Sequence, residues 1–282
     1  MTALTQRSGT VAGTRYTAYD QGAHLAQWSV EGAPVVWVSE QARYAVGEPI
    51  RGGVPVCWPW FADGPDGRHR PAHGFARTAP WTLVEQEQGR ARHRLTWQLT
   101  GADTDGLPGA QTYPTHFRLA LTADIGPDLA LTLAVRNTGD DELVFEAALH
   151  TYLAVGDVRQ VEVLGLEGAG YYDKVLGRHA RQEGPVRLEG ETDRVYERSA
   201  AVVVDDPVRD RQLRVTPVGA THTVVWNPWA DKAGAMADLG DQEWTGMLCV
   251  ETARVGRDAV RLAAGQEHRM TARIETTDRD AR

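Results

Sequence analysis

Phe117-Arg-Leu-Ala-Leu-Thr-Ala-Asp-Ile125 alternates apolar and mainly polar side chains, and Leu129-Ala-Leu-Thr-Leu-Ala-Val135 repeats the alternation after Gly126-Pro-Asp128. A period of two sends successive side chains to opposite faces, which is the signature of a half-buried strand in an antiparallel sheet. Met270, Ala272 and Ile274 show the same period near the C-terminus. Asn137-Thr-Gly-Asp, Asp205-Asp-Pro and Val218-Gly supply turn chemistry between strands. Strands followed directly by turns exclude a Rossmann or TIM architecture, which needs regular intervening helices. A short helix is expected only near Ala235–Asp241. No Ser/Gly/Pro-rich tract separates two halves, and no repeat period is visible. The expectation is therefore all-β: one large antiparallel β-sandwich with few short helices, a single domain over residues 1–282. The polar ends, including the tail from about Thr276, are expected to fray.

Composition narrows the function classes. The 282 residues carry 30 basic and 38 acidic side chains, a formal net charge of −8. No basic excess exists to displace counterions from nucleic-acid phosphates. No apolar run approaches the roughly 20 residues that span a bilayer. Two cysteines, Cys57 and Cys249, are too few for a disulfide framework, and the N-terminus lacks a signal peptide's apolar core. A reducing, cytoplasmic setting is expected, with a monomer as the default. Only Lys174 and Lys232 interrupt a set of 28 arginines, a skew that reads as genomic base composition.

Four segments differ from the scaffold. In Ile50-Arg-Gly-Gly-Val-Pro-Val-Cys-Trp-Pro-Trp-Phe61, paired glycines permit close approach to a ligand or another strand. Its aromatics read either as a packed plug or as a sugar-stacking wall with Arg51 directed inward. In Pro71-Ala-His-Gly-Phe-Ala-Arg77, Gly74 permits an unusual turn that brings His73 near Arg77. His69 and His73 stand four apart, but Pro71 lies between them and no third ligand follows, so no metal site is expected. Glu142-Leu-Val-Phe-Glu-Ala-Ala-Leu-His-Thr-Tyr-Leu153 reads as one nearly continuous strand with His150 on the face of Ala148 and Tyr152. In Trp244-Thr-Gly-Met-Leu-Cys-Val-Glu-Thr-Ala253, Glu251 shares a face with Met247 and Cys249. His150 and Glu251 are thus two ionisable groups on apolar strands. Such groups are either structural partners in a core or an acid and a base held in a cavity.

Those segments, together with Glu191-Thr-Asp-Arg-Val-Tyr196, Trp226-Asn-Pro-Trp229 and Cys249-Val-Glu-Thr-Ala253, resemble the hexose-6-phosphate mutarotases. These are also called glucose-6-phosphate 1-epimerases and belong to the aldose 1-epimerase superfamily. The matching motifs keep the family's order from about Trp28 to Ile274. The resemblance implies a galactose-mutarotase-like sandwich without metal or organic cofactor, acting on a hexose 6-phosphate. It implies His150 as catalytic acid and Glu251 as catalytic base. Asp193 matches a sugar-binding aspartate, Arg51 and Arg77 match substrate- and phosphate-contacting arginines, and His73 matches a second histidine near the sugar. Ala72 departs from relatives that carry glutamine there, so one substrate contact is missing.

Anomer interconversion suits these residue types. The O1 hydroxyl loses a proton, the ring oxygen O5 gains one, and the C1–O5 bond breaks. A base and an acid suffice, placed at opposite ends of the hemiacetal. The expected state is an ionised Glu251, with arginines opposing its desolvation, and a protonated His150 favoured by neighbouring carboxylates. Trp58–Phe61 or Trp226 would line the sugar's apolar face. Competing readings are a glycosidase using Glu251 with Asp193, a non-catalytic sugar-phosphate-binding protein, and a mutarotase for an unphosphorylated aldose.

Overall fold

The computed structural model describes residues 3–279. Its backbone is almost entirely strand and turn, with one α-helix, Trp229–Gly234, among the described residues. Two large antiparallel sheets form a sandwich. One has eight strands, in the order Glu162–Leu164, Val202–Asp206, Arg211–Val218, Glu267–Asp278, Leu129–Asn137, Phe117–Ile125, His93–Thr100 and Thr82–Gln88. Phe117–Ile125 and Leu129–Asn137 are neighbours here, paired Phe117↔Asn137 through Ile125↔Leu129 around the Gly126–Asp128 turn. Their inward residues, Leu119, Leu121, Leu131 and Leu133, are buried, as are Met270, Ala272 and Ile274 on the adjoining strand.

The second sheet has twelve strands. Its middle runs Ala33–Val36, Tyr152–Ala154, Met247–Arg254, His222–Asn227 and Thr192–Tyr196. Leu153, Leu248, Val250 and Val225 point from it into the shared core with the eight-stranded sheet. The opposite face is also covered. Cys57, Phe61, Ala148 and Val224 form one small cluster there, and Tyr152, Trp226, Met247 and Cys249 another. Met247–Arg254 is therefore buried along nearly its whole length. The outer face of the sheet is covered in part by loops, which leave a cavity above it.

Three local expectations are corrected. The helix lies earlier than Ala235–Asp241, because Asn227 Oδ1 accepts the Trp229 N–H at 2.8 Å and starts the turn directly after Pro228. The segment Glu142–Leu153 is broken into Leu143–Phe145, Ala147–Leu149 and Tyr152–Ala154, with His150 and Thr151 in the last gap. Thr276 to Asp278 remain in the sheet, with Thr276 opposite Leu213 and Asp278 opposite Arg211. The fraying expected at residues 1, 2 and 280–282 lies outside the described residues.

Candidate active site

The sheet register places the two anomalous residues together. Leu149 pairs with Thr252 and Tyr152 with Cys249, so His150 stands across from Glu251. His150 Nε2 lies 3.3 Å from Glu251 Oε1, and both side chains are buried. The next strand pairs Val224 with Glu251 and Trp226 with Cys249, and the strand beyond pairs Asp193 with Trp226. Two cross-strand rows result on the outer face: His150–Glu251–Val224 and Tyr152–Cys249–Trp226–Asp193. Residues aligned in this way share a surface. This surface is the floor of a cavity of about 280 Å³.

Loops wall the cavity. Gly52 lets the first of them pass tightly over the sheet: its φ is +107°, and a Cβ there would meet Val38 Cα at 2.5 Å. Of the two readings of the paired glycines, close approach to a strand is what this position shows. Arg51 then reaches the cavity, held by Asp238 at 3.1 Å and donating to Tyr152 Oη at 3.1 Å. Trp58 and Trp60 belong to the core and pack on Phe75, so that part of the segment is a plug. Phe61 does line the cavity, as does Trp226. In the second loop, Gly74 has φ +74°, and a Cβ there would fall 2.0 Å from the Trp58 carbonyl oxygen. That close passage delivers His73 and Arg77 to the cavity.

His73 has a defined tautomer. The Ala62 N–H donates to its Nδ1 at 3.3 Å, and Cys57 Sγ lies 3.3 Å from the same atom. Nδ1 is thus an acceptor, and a neutral ring carries its proton on Nε2. His69 turns elsewhere and pairs with Asp66 at 2.8 Å. Among the described residues, no three His, Cys, Asp or Glu side chains are grouped as metal ligands.

All six residues singled out from the sequence, Arg51, His73, Arg77, His150, Asp193 and Glu251, line this one cavity. Sequence reasoning missed Tyr152, Lys174 and Lys232, which also line it. Tyr152 stacks on His150 with ring centroids 4.8 Å apart. Lys174 pairs with Asp193 at 3.1 Å and lies 5.4 Å over the Phe61 ring. Lys232 pairs with Glu191 at 2.6 Å. A signal was present. The chain has two lysines among 30 basic residues, and both face the cavity.

The surroundings of the pair run against the protonation expected of it. Burial, then Arg77 and Arg51, lower the His150 pKa to about 3. Burial, then Asp193, push Glu251 well above the usual carboxylate range, and Lys174 opposes this. Neither charged form is favoured, because both groups lack water and each has the wrong charge nearby. Glu251 Oε2 is buried with no hydrogen-bond partner among the described residues, a poor setting for a carboxylate. Burial thus disfavours the charged form of each member of the pair. His73 is likewise held well below the ordinary histidine range by burial and Arg77.

A sequence model of the aldose 1-epimerase family matches residues 7–275. The chain belongs to the aldose 1-epimerase family. Within it, the chain is 36% identical over 244 residues to an Escherichia coli protein named "Putative glucose-6-phosphate 1-epimerase", covering 83% of this chain and 77% of that one. A protein of the same name from Cenchrus ciliaris is 34% identical over 264 residues, covering 89% and 78%. The crystal structure of a "putative mutarotase" from Salmonella typhimurium superposes with a TM-score of 0.89 at 29% identity, covering 98% of this chain and 92% of that chain. The cavity of this family member thus belongs to a sugar epimerase scaffold.

Proposed function

We propose that the chain interconverts the α and β anomers of a hexose 6-phosphate, glucose 6-phosphate first. The observation that carries the phosphate is Arg77. Its guanidinium is buried deeply enough to lower its pKa. It donates to the Ala72 carbonyl at 2.7 Å, and no carboxylate lies within ion-pair distance of it among the described residues. A buried cation without a counter-ion is costly, and a bound oxyanion removes that cost. Arg51 and the two lysines enlarge the cationic field, although each already has an acidic partner. Planar guanidinium forks match phosphate oxygens.

The chemistry needs no more than the pair on the floor. O1 and O5 of a pyranose hang from the same carbon, so an acid and a base in contact can reach both. This replaces the expectation of groups at opposite ends of the hemiacetal. Glu251 takes the O1 proton while His150 Nε2 gives one to O5, and the C1–O5 bond breaks. The open aldehyde turns about C1–C2. Closure reverses the transfers. Asp193 orients hydroxyls, His73 offers its Nε2–H, and Phe61 and Trp226 cover apolar ring edges. Orientation is consistent with charge. C6 branches from C5, which carries O5, and the arginines act on His150, the O5 acid.

Exchange NMR between the anomers of glucose 6-phosphate tests the reading, with glucose as the comparison. Catalysis of the phosphorylated sugar well above the buffer rate, and above that of glucose, is expected. Equal rates for both sugars would defeat the phosphate assignment. Arg77→Met should lower the preference for the phosphorylated sugar by about 10–100-fold, the equivalent of one charge-assisted hydrogen bond.

A further inference from the structure

An acid that gives its proton from Nε2 works only while the plane of its ring aims that nitrogen at O5. The orientation of a histidine is commonly fixed by a hydrogen bond at its other nitrogen. His150 Nδ1 is buried and has no such bond to any other described residue. The contact from Nε2 to Glu251 Oε1 at 3.3 Å involves the working atom itself. It is given up when the two groups turn to the sugar, so it does not hold the ring through the reaction.

The backbone fixes where His150 starts. Its N–H donates to the Pro55 carbonyl at 3.0 Å, and the Tyr152 N–H donates to the Gly53 carbonyl at 3.0 Å, so the first loop pins both residues. Between them the Thr151 N–H donates to the Leu149 carbonyl at 3.0 Å, a three-residue turn centred on His150. Side chains two apart on a regular strand stand about 6.5–7 Å from each other. Here the His150 and Tyr152 rings have centroids 4.8 Å apart and lie within 13° of parallel. Trp37 stands next to Tyr152, 5.8 Å away and within 21° of parallel, and its N–H donates to the Tyr152 carbonyl at 2.9 Å. His73 and Trp226 meet the imidazole steeply instead, at 72° and 77°. Tyr152 is itself buried, and its hydroxyl accepts from Arg51 Nη1 at 3.1 Å.

Resting on the acid role given to His150 in the reading above, we infer that Tyr152 is the positioning residue of that acid. Its ring, backed by Trp37, sets the imidazole plane, and its hydroxyl steadies Arg51. Stacking supplies the orientation that Nδ1 does not. The two parts of the side chain act on different constants. The ring acts on proton transfer and therefore on kcat. The hydroxyl acts through Arg51 on the grip of the phosphate and therefore on KM.

Anomer exchange of glucose 6-phosphate and of glucose, followed by NMR across substrate concentrations, tests this in wild type, Tyr152→Leu and Tyr152→Phe. Trp37→Leu is a second route to the stack, because Trp37 does not line the cavity. Tyr152→Leu should lower kcat for either sugar by about 10–100-fold, the loss expected when a reacting group is misplaced by about 1 Å. Tyr152→Phe keeps the ring and should recover most of that kcat, while raising KM for glucose 6-phosphate by about 2–10-fold, the worth of one hydrogen bond. Trp37→Leu should lower kcat by a smaller factor than Tyr152→Leu. Wild-type kcat in a Tyr152→Leu protein that unfolds cooperatively overturns the inference. So do equal losses of kcat in the Leu and Phe variants, which would place the effect on the hydroxyl. Should Tyr152→Leu fail to fold, wild-type kcat in Trp37→Leu overturns it, and a lowered kcat there supports it. If glucose 6-phosphate exchanges no faster than glucose in wild type, the phosphate assignment fails, and kcat for glucose still decides the role of the ring. If neither sugar exchanges above the buffer rate, the acid role fails and this inference with it.

Discussion

Glu251 and His150 share an environment that a single substitution can interrogate. Neither is needed to fill volume: Gln and Asn keep much of each shape while removing the exchangeable charge. Glu251→Gln and His150→Asn should each lower anomer exchange by about 10²–10⁴-fold, the usual worth of one positioned acid or base. Thermal unfolding of both variants should remain cooperative and close to wild type. Full activity in either would strip that residue of its role. His150 was visible in the sequence because an imidazole interrupts an apolar run, and Glu251 for the same reason. Lys174 and Lys232 were passed over because their rarity has a bland compositional explanation, and nothing local distinguishes a lysine in a cavity from one in water.

Elements deliver these side chains, and the loop Pro71–Arg77 is the most demanding of them. His73 itself has φ +65°, and Gly74 follows at +74° with its backbone against the Trp58 carbonyl. Gly74→Ala adds a methyl group where there is no space and where the backbone disfavours a side chain. It should cost about 1–3 kcal/mol in urea unfolding, the range for a strained backbone position. It should also lower exchange activity out of proportion, because His73 and Arg77 leave the cavity together. A variant as active as wild type would show that the loop tolerates another path. The unusual turn was legible from Gly74. What the turn is packed against was not, since Trp58 is 16 positions away in sequence and meets the loop only in the folded sheet. The helix after Trp226-Asn-Pro-Trp was misplaced for a similar reason. Its start is set by the Trp229 N–H donating to the Asn227 side-chain oxygen, while the Asn227 amide donates to the Trp244 and Met247 carbonyls.

Burial lowers the pKa of five histidines spread over the whole molecule, His24, His73, His150, His222 and His268. His24 is buried beneath the first loop, and burial, then Arg77, lower its pKa to about 3, with a Gly52 backbone hydrogen bond opposing. His73 and His150 shift in the same direction. An unfolded chain protonates such rings near pH 6.5. Between about pH 6.5 and 3 the unfolded state therefore holds more protons, and stability falls as pH falls through that window. Glu251, raised in the folded state, has the opposite sign over its own window, but it is one group against five histidines. Unfolding free energy from urea titrations should rise with pH from about 3 to 6.5. His24→Gln should flatten that slope by up to one proton. An unchanged slope would mean that His24 titrates normally in the fold.

Some of this protein is determined by the sequence alone. Period-two alternation with turn residues is local physics, so the strands Phe117–Ile125 and Leu129–Asn137 and the sandwich class could be read directly. The residue types able to do acid–base and phosphate chemistry were equally plain. The tertiary structure decided two other matters. Strand register, a relation between distant segments, put His150 across from Glu251 and Asp193 in the neighbouring row. The covering of the outer face by loops and the arginines in the same cavity lower the His150 pKa, while burial and Asp193 raise that of Glu251. Proton affinity depends on every charge and every excluded water around a group, and no stretch of chain carries that information by itself.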